Sequence, residues 1–369
     1  MALILTFLGS EGTDRTIAAI ASAKRLAAEG KRVLLAFQDP GPAPSLLLGQ
    51  PLSADPASAG ENLQAVQFLT ATLLERSWDE VKTLEAQYLR TPLLKSVYSQ
   101  ELGVLPGMDS ALALNSLRQL DSSGQYDAIV YDGNGDLTTL RMLGMPEVLD
   151  WYVRRFRDVF QQSDLGRALG PFIPPVAATV LAVDWSGNIL DRPTGEMRSI
   201  LEEGKAAIND PYRFMALLVS KPEETAIATS RYLWGSAQQV GLTVGGVLMM
   251  AENPAAYEAS FAPLSVYGLP SLSGSVPNQD WQPLIAALPD PQALAKAAPR
   301  SVTIDAAAGT VSLFLPSFDK SQVKLIQSGP EVTIEAGDQR RNLLLPPALT
   351  GRPVKGAKFQ DQYLVLTFA

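Results

Sequence analysis

Short, almost continuously apolar runs alternate with helix-forming stretches along the first 290 residues, and this alternation leaves the chain few possible folds. The runs are "LILTFL" (3–8), "RVLLAF" (32–37), "LQAVQF" (63–68), "AIVYD" (128–132), "FMALLVS" (214–220) and "TVGGVLMM" (243–250). A strand that is apolar at every position has both faces covered, as in a parallel sheet held between helix layers. Between the first two runs, "TIAAIASAKRLAAEG" (16–30) is rich in good helix formers and ends on Gly30, a natural helix stop. Helices are also expected over 77–100, between 106 and the 128–132 run, over 148–162, over 223–241 and within 280–299, with 41–61 as loop. The expected class is α/β: a doubly wound, mostly parallel sheet with a helical insertion over about 147–212.

From residue 300 the texture changes. "SVTID", "TVSLFLP", "QVKLIQ", "EVTIEAG", "RRNLLLP" and "YLVLTF" are short runs separated by turns and lack a helical period. Val311, Leu313 and Leu315 alternate with outward positions, as in a half-buried strand. The chain therefore divides into an α/β domain over 1–295 and an all-β sandwich over 300–369.

Composition excludes several chemistries. The formal net charge of -8 argues against general nucleic-acid binding, which needs a basic surface. With 0 cysteines and 0 histidines, disulfides, thiolate zinc sites, histidine metal sites and Ser-His-Asp triads are all ruled out. Catalysis would fall to carboxylates, lysine or arginine, hydroxyls, backbone amides or a hard cation such as magnesium. No apolar run is long enough to cross a bilayer, and "MALILTFLGS" lacks the basic start of an export signal, so a cytoplasmic setting is expected.

The turn after the first run stands where a phosphate-binding loop would sit. A Walker A loop reads G-x-x-x-x-G-K-[ST]: backbone amides cradle phosphates, the lysine reaches the β- and γ-phosphates, and the hydroxyl holds magnesium. Here Gly9-Ser10-Glu11-Gly12-Thr13-Asp14-Arg15-Thr16 puts Asp14 in place of the second glycine and Arg15 in place of the lysine. By itself this is a helix-entry turn, with Thr13 or Asp14 as its cap.

Three further segments give the turn a context. "GKRVLLAFQDP", "PGMDSALAL" and "YDGNGDLTTLRMLGMP" follow in the order and spacing of the ArsA-type ATPases, and over residues 1–290 the chain resembles that family of arsenite-pump ATPases and tail-anchored-protein targeting factors. The resemblance implies a homodimer that uses ATP and Mg2+. It implies that 9–16 is the nucleotide loop and that Asp39 is the water-activating carboxylate. It also implies that Thr16 and Asp39 are the magnesium-side residues, and that Asp132 and Gly135 belong to the second switch. "LFLPSFDKSQVKL" and "EVTIEAGDQRR" resemble the α-crystallin domain of small heat-shock proteins.

Departures from the pattern shape the functional expectation. Ser10 stands where the family carries a signature lysine that reaches across the dimer, and the zinc-binding CxxC of the targeting factor is missing, so no zinc is expected. A carboxylate about 5 Å from one phosphate charge costs roughly 3 kcal/mol at an effective dielectric near 20. Arg15 offsets this by binding phosphate or by pairing with Asp14. The two readings left open are a client-binding scaffold with weak or absent hydrolysis and an active ATPase with an atypical loop. The apolar, proline-broken stretch 167–190 is either the wall of a client groove or ordinary core. Arg154, Arg155 and Arg157 read as the solvated basic side of an amphipathic helix, and the arginines at 340 and 341 as surface polarity.

Overall fold

The computed structural model describes residues 1–9, 12–88, 103–162, 193–274 and 279–369. Ser10, Glu11 and the 167–190 stretch lie outside the described residues. The chain opens with β1 (Leu3–Gly9), α1 (Asp14–Ala28), β2 (Val33–Phe37), α2 (Ala43–Leu48), β3 (Ala57–Gly60) and β4 (Leu63–Gln67). Next come α3 (Thr70–Tyr88), α4 (Met108–Ser122), β5 (Ala128–Asp132), α5 (Leu137–Gln162) and α6 (Pro193–Asn209). The sheet is completed by β6 (Phe214–Ser220), α7 (Glu224–Gln239), β7 (Thr243–Met249), α8 (Glu258–Phe261) and β8 (Val266–Gly268), and α9 (Gln282–Ala287) and α10 (Pro291–Ala297) follow.

The strands form one eight-stranded sheet in the order β3-β4-β2-β5-β1-β6-β7-β8, with only the β3–β4 pairing antiparallel. Its central strands are buried on both faces, which is why they read as unbroken apolar runs. Along β1, Ile4 and Leu8 enter one core with residues of α4, α5 and α7, while Leu5 and Phe7 enter the other beside α1. From β1 the chain crosses to β2, whereas from β5 it passes to β6 on the far side of β1. The strand order thus reverses at β1 and β5, and such a reversal opens a crevice at the strands' carboxyl ends.

Two expectations are corrected here. The 41–61 stretch is not simply loop: it holds α2 and the edge strand β3. The entry to α1 is not side-chain capped, since Thr13 is helical in φ and ψ and makes no cap hydrogen bond, and Asp14 is already the first helical residue.

Beyond 300 the strands are β9 (Val302–Asp305), β10 (Thr310–Phe314), β11 (Val323–Ser328), β12 (Glu331–Ala336), β13 (Gln339–Leu344), β14 (Val354–Gln360) and β15 (Tyr363–Phe368). They build a four-stranded sheet, β14-β15-β10-β9, and a three-stranded one, β11-β12-β13. Val311, Leu313, Val332, Ile334, Leu364 and Leu366 fill the space between them. Strand β14 was not legible in the sequence, because it is an exposed edge whose residues carry no apolar alternation.

This β-region packs against the α/β region within one chain. Trp234 of α7 meets Phe314 edge to face at 5.6 Å, a geometry worth about 1 kcal/mol beyond area burial. Gly235 permits the approach, since a Cβ there would lie 2.3 Å from the Pro316 carbonyl. Arg341 is not surface polarity: it is buried, and its guanidinium donates to the Gln238 carbonyl and to Asn209 Oδ1, both at 2.9 Å. Arg340 is exposed and pairs with Glu335 at 2.8 Å. Nor is Arg154 simply solvated, because it bridges Asp150 and Glu331, and the Trp151 indole also donates to Glu331 at 3.1 Å.

Candidate functional site

The crevice at the strand ends collects the sequence-predicted residues that the structure describes. Gly9 ends β1 at φ +114°, and a Cβ there would strike the Val219 carbonyl at 2.3 Å, so only glycine lets β1 turn beside β6. Its amide donates to the Gly135 carbonyl at 2.9 Å, which ties the start of the loop to the turn after β5. Gly12, at φ +85°, carries the chain into α1 with open space where a Cβ would point.

Asp132 ends β5 and is buried, and the Thr16 hydroxyl donates to it from the first turn of α1. Loss of water raises its carboxyl to about 6; the Thr16 bond and the Arg15 charge oppose the shift, while the Asp39 charge adds to it. Asp39 is exposed just past β2, where its Oδ1 accepts from the Gly41 amide at 2.7 Å. The structure therefore brings Thr16, Asp39 and Asp132 to one end of the sheet. Gly135 follows in the turn, its amide donating to Thr139 Oγ1 at 2.9 Å. Asp136 caps α5 through the Thr138 amide at 2.8 Å.

The two odd residues of the loop point different ways. Arg15 Nη1 donates back to the Gly9 carbonyl at 2.9 Å, and its side chain lies against Gly135, where a Cβ would fall 2.3 Å from Nε. Asp14 sits at the amino end of α1 and pairs with Lys221 at 2.9 Å. Lys221 was missed in the sequence. It is the first residue after β6, at the same end of the sheet as Asp39 and Asp132, and the Asp14 carboxylate holds its ammonium above the ordinary lysine value.

Tested against magnesium triphosphate, the two halves of the crevice disagree. Thr16, Asp132 and Asp39 supply the oxygen donors a hard cation prefers. Among the described residues, however, no group of three or more acidic side chains gathers closely enough to hold a metal by itself. On the phosphate side, Asp14 places a negative charge at the helix terminus that an anion would use, and Lys221 already neutralises it. A phosphate chain would have to displace Asp14 from Lys221 and the α1 terminus to bind here.

Away from the crevice, an apolar cavity of about 290 Å³ lies among α4, α5 and α6, lined by Leu114, Leu117, Met145, Leu149, Ile200 and Ile208. No helix among the described residues is long and apolar enough to cross a membrane.

Comparison with known proteins agrees with this architecture. The model of the anion-transporting ATPase family matches residues 2–255, and that of the HSP20-like domain found in ArsA matches 308–368. A protein of Chlorobaculum tepidum named as an arsenical pump-driving ATPase is 25% identical over 99% of this chain and 95% of its own length. An uncharacterized protein of Streptomyces coelicolor is 26% identical over 99% of this chain and 97% of its own. The ATPase GET3 of Mycosarcoma maydis is 23% identical over 55% of this chain and 58% of its own. The crevice, the strand order and the matched segments lead to one assignment: the chain belongs to the anion-transporting (ArsA-type) ATPase family and carries that family's HSP20-like domain.

Proposed function

We propose that this chain is a client-binding, targeting or chaperone-like homodimer of the cytoplasm, built on the ArsA scaffold around a degenerate phosphate loop. Its ATP hydrolysis is weak or absent. The observation that carries the reading is the Asp14–Lys221 pair, which puts a carboxylate at the amino end of α1. Two further features support it. Arg15 is engaged with Gly9 and Gly135 rather than extended as the loop lysine would be. The apolar cavity among α4, α5 and α6 is the kind of surface an apolar client segment seeks. The proposed domains are those expected from the sequence, 1–295 and 300–369.

A second reading, an active ATPase with an atypical loop, is favoured by the Thr16–Asp132 hydrogen bond and by Asp39 beside it. In that reading the 9–16 backbone and Thr16 would hold the nucleotide and the Mg2+, and Asp39 would orient the attacking water. When bound, the cation neutralises charge on the β- and γ-phosphates. Steady-state phosphate release, with saturating ATP and Mg2+, separates the two. The degenerate-loop reading expects turnover near background for the wild type and a rise in Asp14→Gly/Arg15→Lys. Wild-type turnover equal to that of the double variant supports the active enzyme.

A further inference from the structure

The carboxyl end of β6 brings a cation to the loop that the sequence did not single out. Lys221 follows β6, the neighbour of β1, and its side chain remains 44% exposed while that of Asp14 is enclosed at 14%. Arg15, at the position of the loop lysine, is turned onto Gly9 and Gly135. Beneath the start of the loop lies an unmet polar group. Ser230 Oγ of α7 is 1% exposed, has no hydrogen-bond partner among the described residues, and sits 3.2 Å from where a Gly9 Cβ would be.

We propose that Lys221 is the phosphate-binding cation of this site, supplied from β6 instead of from the loop, and that Asp14 is the resident anion it holds until a polyphosphate chain displaces it. The proposal rests on the degenerate-loop reading. A carboxylate in the first turn of a helix and a bound phosphate compete for the same positive end of the helix dipole. Each also needs a counter-charge, and the Lys221 ammonium stands at the amino end of α1 through its pairing with Asp14. The site thus carries its own low-affinity stand-in for the ligand. Binding must exchange one anion for another, so affinity is low even though a cation is present. Removing the carboxylate leaves Lys221 and the α1 terminus without an anion, and affinity for a phosphate chain rises.

The test is calorimetric titration of the full chain with ATP·Mg2+ and, separately, with inorganic tripolyphosphate. The proteins are the wild type, Asp14→Gly, Lys221→Met, Lys221→Arg and Asp14→Gly/Lys221→Met, each checked for an unchanged circular dichroism spectrum. We expect Asp14→Gly to bind about tenfold or more tightly than the wild type, since one like charge is removed from beside the anion. That gain should vanish in Asp14→Gly/Lys221→Met, and Lys221→Arg should keep most of the wild-type affinity. Binding of both ligands supports a site for the phosphate chain itself, and binding of ATP alone supports a nucleoside triphosphate site. Asp14→Gly/Lys221→Met binding as tightly as Asp14→Gly overturns the role of Lys221, and so does failure of every protein to bind either anion. Rapid ATP turnover by the wild type, with no gain in Asp14→Gly, overturns the degenerate-loop reading instead. In that event the loss in Lys221→Met still decides for or against Lys221.

Discussion

The guanidinium of Arg341, on β13, donates to the main-chain carbonyl of Gln238 near the end of α7, 2.9 Å away and out of contact with water. The same group reaches Asn209 Oδ1 at the end of α6 and lies 3.9 Å from Glu147 of α5. One side chain of the β-region thus bonds groups on two helices and lies beside a carboxyl of a third. Replacing it with alanine deletes two hydrogen bonds from a charged donor and removes the charge beside half-buried Glu147, and we predict a loss of about 3 kcal/mol. Urea unfolding of Arg341→Ala measures this directly, and an unchanged midpoint would show that the seam does not depend on the arginine.

Glu147 makes the same seam sensitive to pH. Burial raises its carboxyl above the ordinary glutamate value, and the charges of Arg341 and Lys205 only partly offset the shift. A raised carboxyl means that the folded chain holds the proton more tightly than the unfolded chain. The contribution is therefore full below the unfolded value of 4.5 and is lost as pH rises through the folded value. Glu147→Gln should show a flatter fall in stability than the wild type as pH rises above about 4.5. Denaturant midpoints taken at intervals up to pH 8 give the comparison, and parallel curves would contradict it.

Close approach at Gly235 gives a steric prediction. A methyl group there meets the Pro316 carbonyl at 2.3 Å and the Phe318 ring at 2.6 Å, both part of the β-region's packing surface. Gly235→Ala should cost about 1–3 kcal/mol, as overpacking does, despite alanine's better helix propensity. A rise in melting temperature would mean that the two regions separate freely.

The buried strands were the most legible part of the sequence, because burial on both faces leaves a continuous apolar run. Strands β1, β2, β5, β6 and β7 all have that form. Elements without such a signature were missed. Strand β3 is "ASAG" on an edge, β8 has three residues, and β14 is exposed along most of its length. At the site, Thr16, Asp39 and Asp132 were singled out through the resemblance to the ArsA-type ATPases. Lys221 was not, because a lone lysine before a proline carries no signal until β6 is placed beside β1. Arg341 misled for a similar reason. It shares a sheet face with Gln339 and with Ile334, its partner on β12, but only the docked helices supply the groups that its guanidinium meets.

The charge at position 14 leads to the most direct test, a thermal melt in millimolar ATP·Mg2+. A ligand that binds only the folded chain at a hundred times its dissociation constant adds about 2.7 kcal/mol of apparent stability. We predict little or no shift in melting temperature for the wild type and a clear, saturable rise for Asp14→Gly/Arg15→Lys under the same conditions. A strong saturable rise in the wild type, equal to that of the double variant, would contradict the claim that this loop has lost its ready seat for a triphosphate.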